Sequence, residues 1–169
     1  TSTTTNLDFP VDRFRGSFSG TDESPTFAQH ALTSSDTGPW AKGFRNSVHV
    51  TNGNQTGGAG TSDKVEFYTK LEAQDIANSG WDYTSTSSYI TLSFWVKSSV
   101  AQNFYGYIIN LDGTIKNFPF ETGSLSADTW TKITKTLPGH ADLSFNNDNG
   151  EGLRIVILPF LGTDQTGSV

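Results

Sequence analysis

The stretch Ile90–Ser99, I-T-L-S-F-W-V-K-S-S, restricts what the chain can become more than any other segment. Ile90, Leu92, Phe94 and Val96 occupy every second position, and a β-strand sends alternate side chains to opposite faces. One face is therefore apolar. Thr91, Ser93, Trp95 and Lys97 share the other, where a single large aromatic sits among polar neighbours. Each apolar side chain left in water would forgo about 1.5–3 kcal/mol, so this strand requires an opposing layer. Trp95 has two readings: an exposed stacking platform, or a ring covered by a loop or a neighbouring subunit.

The same period of two recurs along the chain. Phe44–Thr51 sets Phe44, Val48 and Val50 against Arg45, Ser47, His49 and Thr51. Lys64–Leu71 sets Val65, Phe67, Thr69 and Leu71 against a polar face that includes Tyr68. Asn103–Asn110 and Ile115–Phe120 flank L-D-G-T, where Asp-Gly predicts a tight type I′ hairpin. Trp130–Gly139 alternates as well, and Leu153–Leu161 is apolar on both faces except at Arg154, as expected of a strand in the middle of a sheet. Thr26–Thr33 reads as a short strand, and Leu7–Phe18, carrying Pro10, as an edge strand or an extended lead-in. Thr1–Asn6 is hydroxyl-rich and reads as a linker. Asn52–Asp63 has four glycines and no core-forming side chain, so it is a loop. Leu71–Asn78 supports one or two helical turns or, alternatively, a strand extension. About nine short strands separated by turn signals make an all-β, antiparallel β-sandwich with at most one short helix.

Composition supports one such domain of 169 residues and narrows its partners. Net charge is −6 and the eleven Lys and Arg are scattered, so no basic patch exists for nucleic acid. No apolar run approaches the roughly 18–20 residues of a membrane-spanning helix. The chain has no cysteine, which excludes disulfides and thiolate metal sites, and no methionine, which reads as a processed chain or a segment of a longer one.

A catalytic constellation does not emerge. His30, His49 and His140 lack metal-ligand spacing, and no G-x-S-x-G elbow occurs. The reading is therefore non-enzymatic. Two constellations invite a binding role instead. Trp40, Trp81, Trp95, Tyr83, Tyr105 and Tyr107 could stack on the apolar face of a sugar ring, with core packing or a subunit interface as the alternative. Asn146, Asn147, Asp148, Asn149 and Glu151 offer oxygen ligands around Gly150, either a calcium site or an Asx-rich turn.

V-D-R-F at Val11–Phe14, T-L-S-F-W-V-K-S at Thr91–Ser98, W-T-K-I-T-K-T-L-P-G at Trp130–Gly139 and N-D-N-G-E-G-L at Asn147–Leu153 carry a resemblance. Together they resemble a jelly-roll domain found in structural proteins of marine tailed bacteriophages, cyanophages above all, in tail fibres and in head or tail appendages. That domain is itself similar to galactose-binding-like and carbohydrate-binding-module sandwiches. The resemblance covers about Leu7 to Leu161. It implies jelly-roll topology for residues 7–169, a location on the exterior of the virion, assembly as a homotrimer with other virion proteins, and weak contact with host-surface glycan. A structural calcium would also be in keeping. The alternative it implies is an accessory carbohydrate-binding module of a secreted glycan-active enzyme. Such domains close with one more strand after the segment matching Leu153–Leu161, so the resemblance implies a truncated C-terminal end with that strand left at an exposed edge.

Overall fold

The computed structural model describes residues 2–168. Ten strands form: β1 Ser2–Thr3, β2 Phe14–Ser19, β3 Thr26–Ala31, β4 Asn46–Thr51, β5 Lys64–Glu72, β6 Tyr89–Val96, β7 Asn103–Asn110, β8 Asn117–Ser124, β9 Thr131–Pro138 and β10 Glu151–Leu161. One short helix, α1 Ala73–Ala77, follows β5, and 3-10 turns cover Trp40–Lys42 and Thr163–Ser168. Every strand pairing is antiparallel. A five-stranded sheet in the order β2-β5-β10-β7-β8 forms one layer, and the three-stranded sheet β1-β3-β4 and the pair β6-β9 lie opposite it. The strand order is interleaved, and the layers make an all-β antiparallel sandwich.

The organising strand behaves as its pattern demands. On β6, Phe94 pairs with Ile133 and Ile90 with Leu137 of β9, and directly opposed residues share a face. That face meets Ile108, Leu143, Phe145 and Leu153 to form the main core. The β1-β3-β4 layer docks through Phe27, which is fully buried. Its ring lies over Gly16 of β2, where a Cβ would come within 2.7 Å of the ring. Gly16 is thus the only residue type that lets β3 approach β2 this closely.

Several expectations change. Ser2–Thr3, read as linker, pairs with Ala28 and Phe27 of β3. Leu153–Leu161 lies mid-sheet, as its two apolar faces demand: β10 sits between β5 and β7, and the exposed edge that the resemblance implied for it is not found. The L-D-G-T segment is not a type I′ turn, which needs positive φ at both central residues, because only Gly113 has it. Asn110 organises a longer loop instead. Fully buried, it donates from Nδ2 to the Asp112 and Thr114 carbonyls at 2.6 and 3.0 Å, and its Oδ1 accepts from Lys116 N–H at 2.5 Å. The return strand consequently starts at Asn117, and Ile115 is exposed.

Candidate functional site

The outer face of the five-stranded sheet collects the chemistry. Val156 of β10 is opposed by Tyr68 of β5 on one side and Tyr107 of β7 on the other. One row of three strands therefore presents tyrosine, valine, tyrosine. In the next row Leu158 is opposed by Tyr105, which is opposed in turn by Glu121 of β8. Val156 and Leu158 are buried beneath this layer, Tyr107 is half-buried, and Tyr105 is 50% exposed. The strand rise of about 3.4 Å per residue sets Tyr105 and Tyr107 about 7 Å apart on one face.

Charged side chains rim the aromatic rows. Arg154 stacks its guanidinium 5.0 Å from the Tyr68 ring centroid and donates to Glu151 through Nε at 2.5 Å and a terminal nitrogen at 3.0 Å. Lys70 reaches the same Glu151 carboxylate at 2.5 Å. Burial pushes the Glu151 carboxyl up, but the hydrogen bonds from Arg154 and Lys70 outweigh it and hold the group below its usual value. Glu151 in turn raises Arg154. Burial, reinforced by the charge of Glu66, pushes the Tyr107 phenol up, so it stays a neutral donor. Glu66 is itself buried, with Lys64 Nζ 3.3 Å from one oxygen. At the outer edge Asn103 Nδ2 donates to Glu121 at 2.6 Å. The arrangement is an aromatic floor edged by fixed, ionised hydrogen-bonding groups, suited to holding a polar ring compound with an apolar face.

The six aromatics singled out in the sequence do not converge. Tyr105 and Tyr107 share the face just described. Trp81 and Tyr83 stack with Phe145 at one end of the core, Tyr83 edge-on at 5.0 Å. Trp40 lies under Arg45, whose guanidinium is 3.9 Å from the ring. Trp95 is half-buried beneath the Ser34–Trp40 loop. Gly38, at φ 99°, comes so close that a Cβ there would lie 2.7 Å from the indole. That loop is latched by Asp36, which accepts from Trp130 Nε1 at 2.9 Å, Lys97 Nζ at 3.2 Å and Thr33 N–H at 2.9 Å. The Trp130 bond, then the Thr33 and Lys97 bonds, hold the Asp36 carboxyl far below the usual carboxylate range.

The oxygen-rich loop is engaged with itself. Asp148 accepts from the Gly150 amide at 2.9 Å, and Asn147 from Asn78 at 2.9 Å, while Glu151 is committed to Arg154 and Lys70. Among the described residues no group of three or more His, Asp or Glu is placed to hold a metal ion. The calcium reading of Asn147, Asp148, Asn149 and Glu151 thus rests on composition alone.

Sequence reasoning missed Tyr68, Arg154 and Glu66 as members of one surface. Tyr68 and Arg154 each stood out on their own strand as the odd residue of a face. Only the register of β5 against β10 brings them together. Comparison with known proteins adds nothing to this geometry: no protein-family model, no curated protein and no solved structure matches the chain.

Proposed function

We propose that this domain is a non-enzymatic structural module of a bacteriophage particle, a tail fibre or a head or tail appendage, that meets host-surface glycan weakly. The particle assignment rests on the sequence resemblance. The glycan assignment rests on one observation: Tyr105 and Tyr107 project from a single strand face above a buried aliphatic row, rimmed by Arg154, Glu151 and Glu121. A sugar ring stacks on an aromatic face while its hydroxyls donate to carboxylates and accept from a guanidinium alongside. This moves the contact away from Trp95, which the Asp36 loop covers.

One or two stacking contacts give affinity near the millimolar range, about −4 kcal/mol, so adhesion needs several copies. A homotrimeric fibre or appendage supplies them. The same face would serve an accessory carbohydrate-binding module of a secreted enzyme, and the two readings separate by location. Antibody labelling of intact particles should decorate their exterior, and affinity electrophoresis through polysaccharide gels should retard the protein but not Tyr105→Ala. Unlabelled particles would remove the virion reading, and equal mobility of the two proteins in every gel would remove the glycan reading.

A further inference from the structure

β3 and β4 pair with Thr26 opposite Thr51, Ala28 opposite His49 and His30 opposite Ser47. Residues opposed across a ladder share a face, as do residues two apart along a strand, so these side chains project together. Phe27 of β3 is fully buried, which makes its face the inner one and theirs the outer. His30 and His49 are diagonal neighbours on that outer face, and both are exposed. Their ring centres lie 5.5 Å apart with the planes at 65°. Among the described residues neither ring takes part in a hydrogen bond. His140 differs: its Nδ1 accepts from the Asp142 N–H at 3.1 Å.

Two free imidazoles at this spacing can grip one ion. Neutral imidazole ligates zinc and copper(II) through a ring nitrogen, and the zinc–nitrogen bond is about 2.1 Å. With the ring radius added, a tetrahedral ion shared by two rings holds their centres about 5 Å apart. The observed 5.5 Å is a small side-chain rotation from that, and exposed side chains rotate readily. The surroundings leave room, since Thr26, Ala28, Ser47 and Thr51 are small and uncharged. Arg45, just before β4, is held over Trp40, its Nη1 donating to the Trp40 and Phe44 carbonyls at 3.0 and 2.9 Å. Imidazoles without a carboxylate suit a late transition metal rather than calcium or magnesium. The net charge of −6 favours the approach of a cation.

We infer that His30 and His49 form a bidentate surface site for a divalent late transition-metal ion, zinc or copper(II), with water in the remaining positions. Structural zinc sites use four protein ligands and catalytic ones three, so this pair holds its ion weakly and exchangeably. The effect is local. β4 lies at the edge of the β1-β3-β4 sheet, and among the described residues it is hydrogen-bonded to β3 alone. An ion with one ligand on each strand ties β4 to β3, and binding the folded pair better than the unfolded chain stabilises it. This inference is independent of the glycan reading, because neither histidine belongs to the five-stranded sheet.

The test uses the tag-free chain stripped of metal with a chelator. It is titrated with zinc chloride in a calorimeter, then loaded with one equivalent of copper(II) for electron paramagnetic resonance. The expected result is one zinc ion per chain, bound about tenfold or more weakly by His30→Ala and by His49→Ala, and as in the parent by His140→Ala. The copper spectrum should show two coupled imidazole nitrogens in the parent and fewer in either of the first two variants. Both rings are exposed, so those variants should keep the parent Tm without metal, while zinc raises Tm in the parent and not in them. No measurable zinc binding, affinity that survives either substitution, or affinity that falls with His140→Ala would overturn the assignment.

Discussion

Asn110→Asp replaces one atom in the loop between β7 and β8 and has a calculable cost. The Oδ1 acceptor for Lys116 N–H survives. The two donors to the Asp112 and Thr114 carbonyls do not, and a carboxylate would face both oxygens in a site with no solvent exposure. If the new acid keeps its proton, one carbonyl regains a donor and the other is orphaned. Losing a hydrogen bond costs about 1 kcal/mol and leaving a buried acceptor unsatisfied about 1–3 kcal/mol. Holding the proton at neutral pH adds to this, because the unfolded acid ionises near pH 3.9. The total is about 3–5 kcal/mol at pH 7, a fall in Tm of about 10 °C for a chain of this size. The sign with pH follows from proton binding. The folded variant holds its proton above pH 3.9 while the unfolded chain releases it, so the deficit is smallest near pH 4 and grows toward pH 7. Thermal unfolding followed by circular dichroism at both pH values measures this. A Tm within 3 °C of the parent at pH 7, or a deficit larger at pH 4, would refute the assigned hydrogen bonds.

Gly16→Val should drive Phe27 from its seat and cost about 1–3 kcal/mol in chemical denaturation, with loss of the β1-β3-β4 layer visible as faster amide exchange there. Acidification should free the loop over Trp95. The Asp36 carboxyl is depressed in the folded state, so its contribution is complete above the unfolded value near pH 4 and is lost progressively as pH falls from there through the far lower folded value. A change in tryptophan fluorescence below pH 4, absent from Asp36→Asn, is the expected readout. Trp95→Ala should lower stability by about 2 kcal/mol through lost packing against that loop while leaving polysaccharide retention intact. Retention lost at unchanged Tm would restore Trp95 as a glycan contact.

Alternation was enough to find the strands that carry a core face. Ile90–Val96, Lys64–Leu71 and Asn103–Asn110 emerge almost residue for residue, because a half-buried strand writes its burial into a period of two. What escaped was set by partners distant in sequence. Ser2–Thr3 has no pattern of its own and becomes a strand only because β3 offers an edge. The loop after Asn110 defeated the Asp-Gly signal because a buried side-chain amide replaced the backbone bonds of a two-residue turn. The aromatic list was sound as composition, but aromatics serve cores and surfaces alike. Trp81, Tyr83 and Trp95 pack inward or under a loop, whereas Tyr68 and Arg154 join Tyr107 only through the register of β5, β10 and β7.

The most direct test of the glycan contact is a residue-resolved NMR titration with a panel of neutral and acidic oligosaccharides. At least one ligand should bind in the millimolar range, with shifts confined to Tyr105, Tyr107, Arg154 and their neighbours on β7, β8 and β10. Tyr105→Ala should abolish those shifts at unchanged Tm, because Tyr105 is half-exposed and contributes little to packing. Saturable shifts centred instead on Trp81 and Tyr83, or on Trp95, would contradict the account, as would a spectrum that no ligand moves at tens of millimolar.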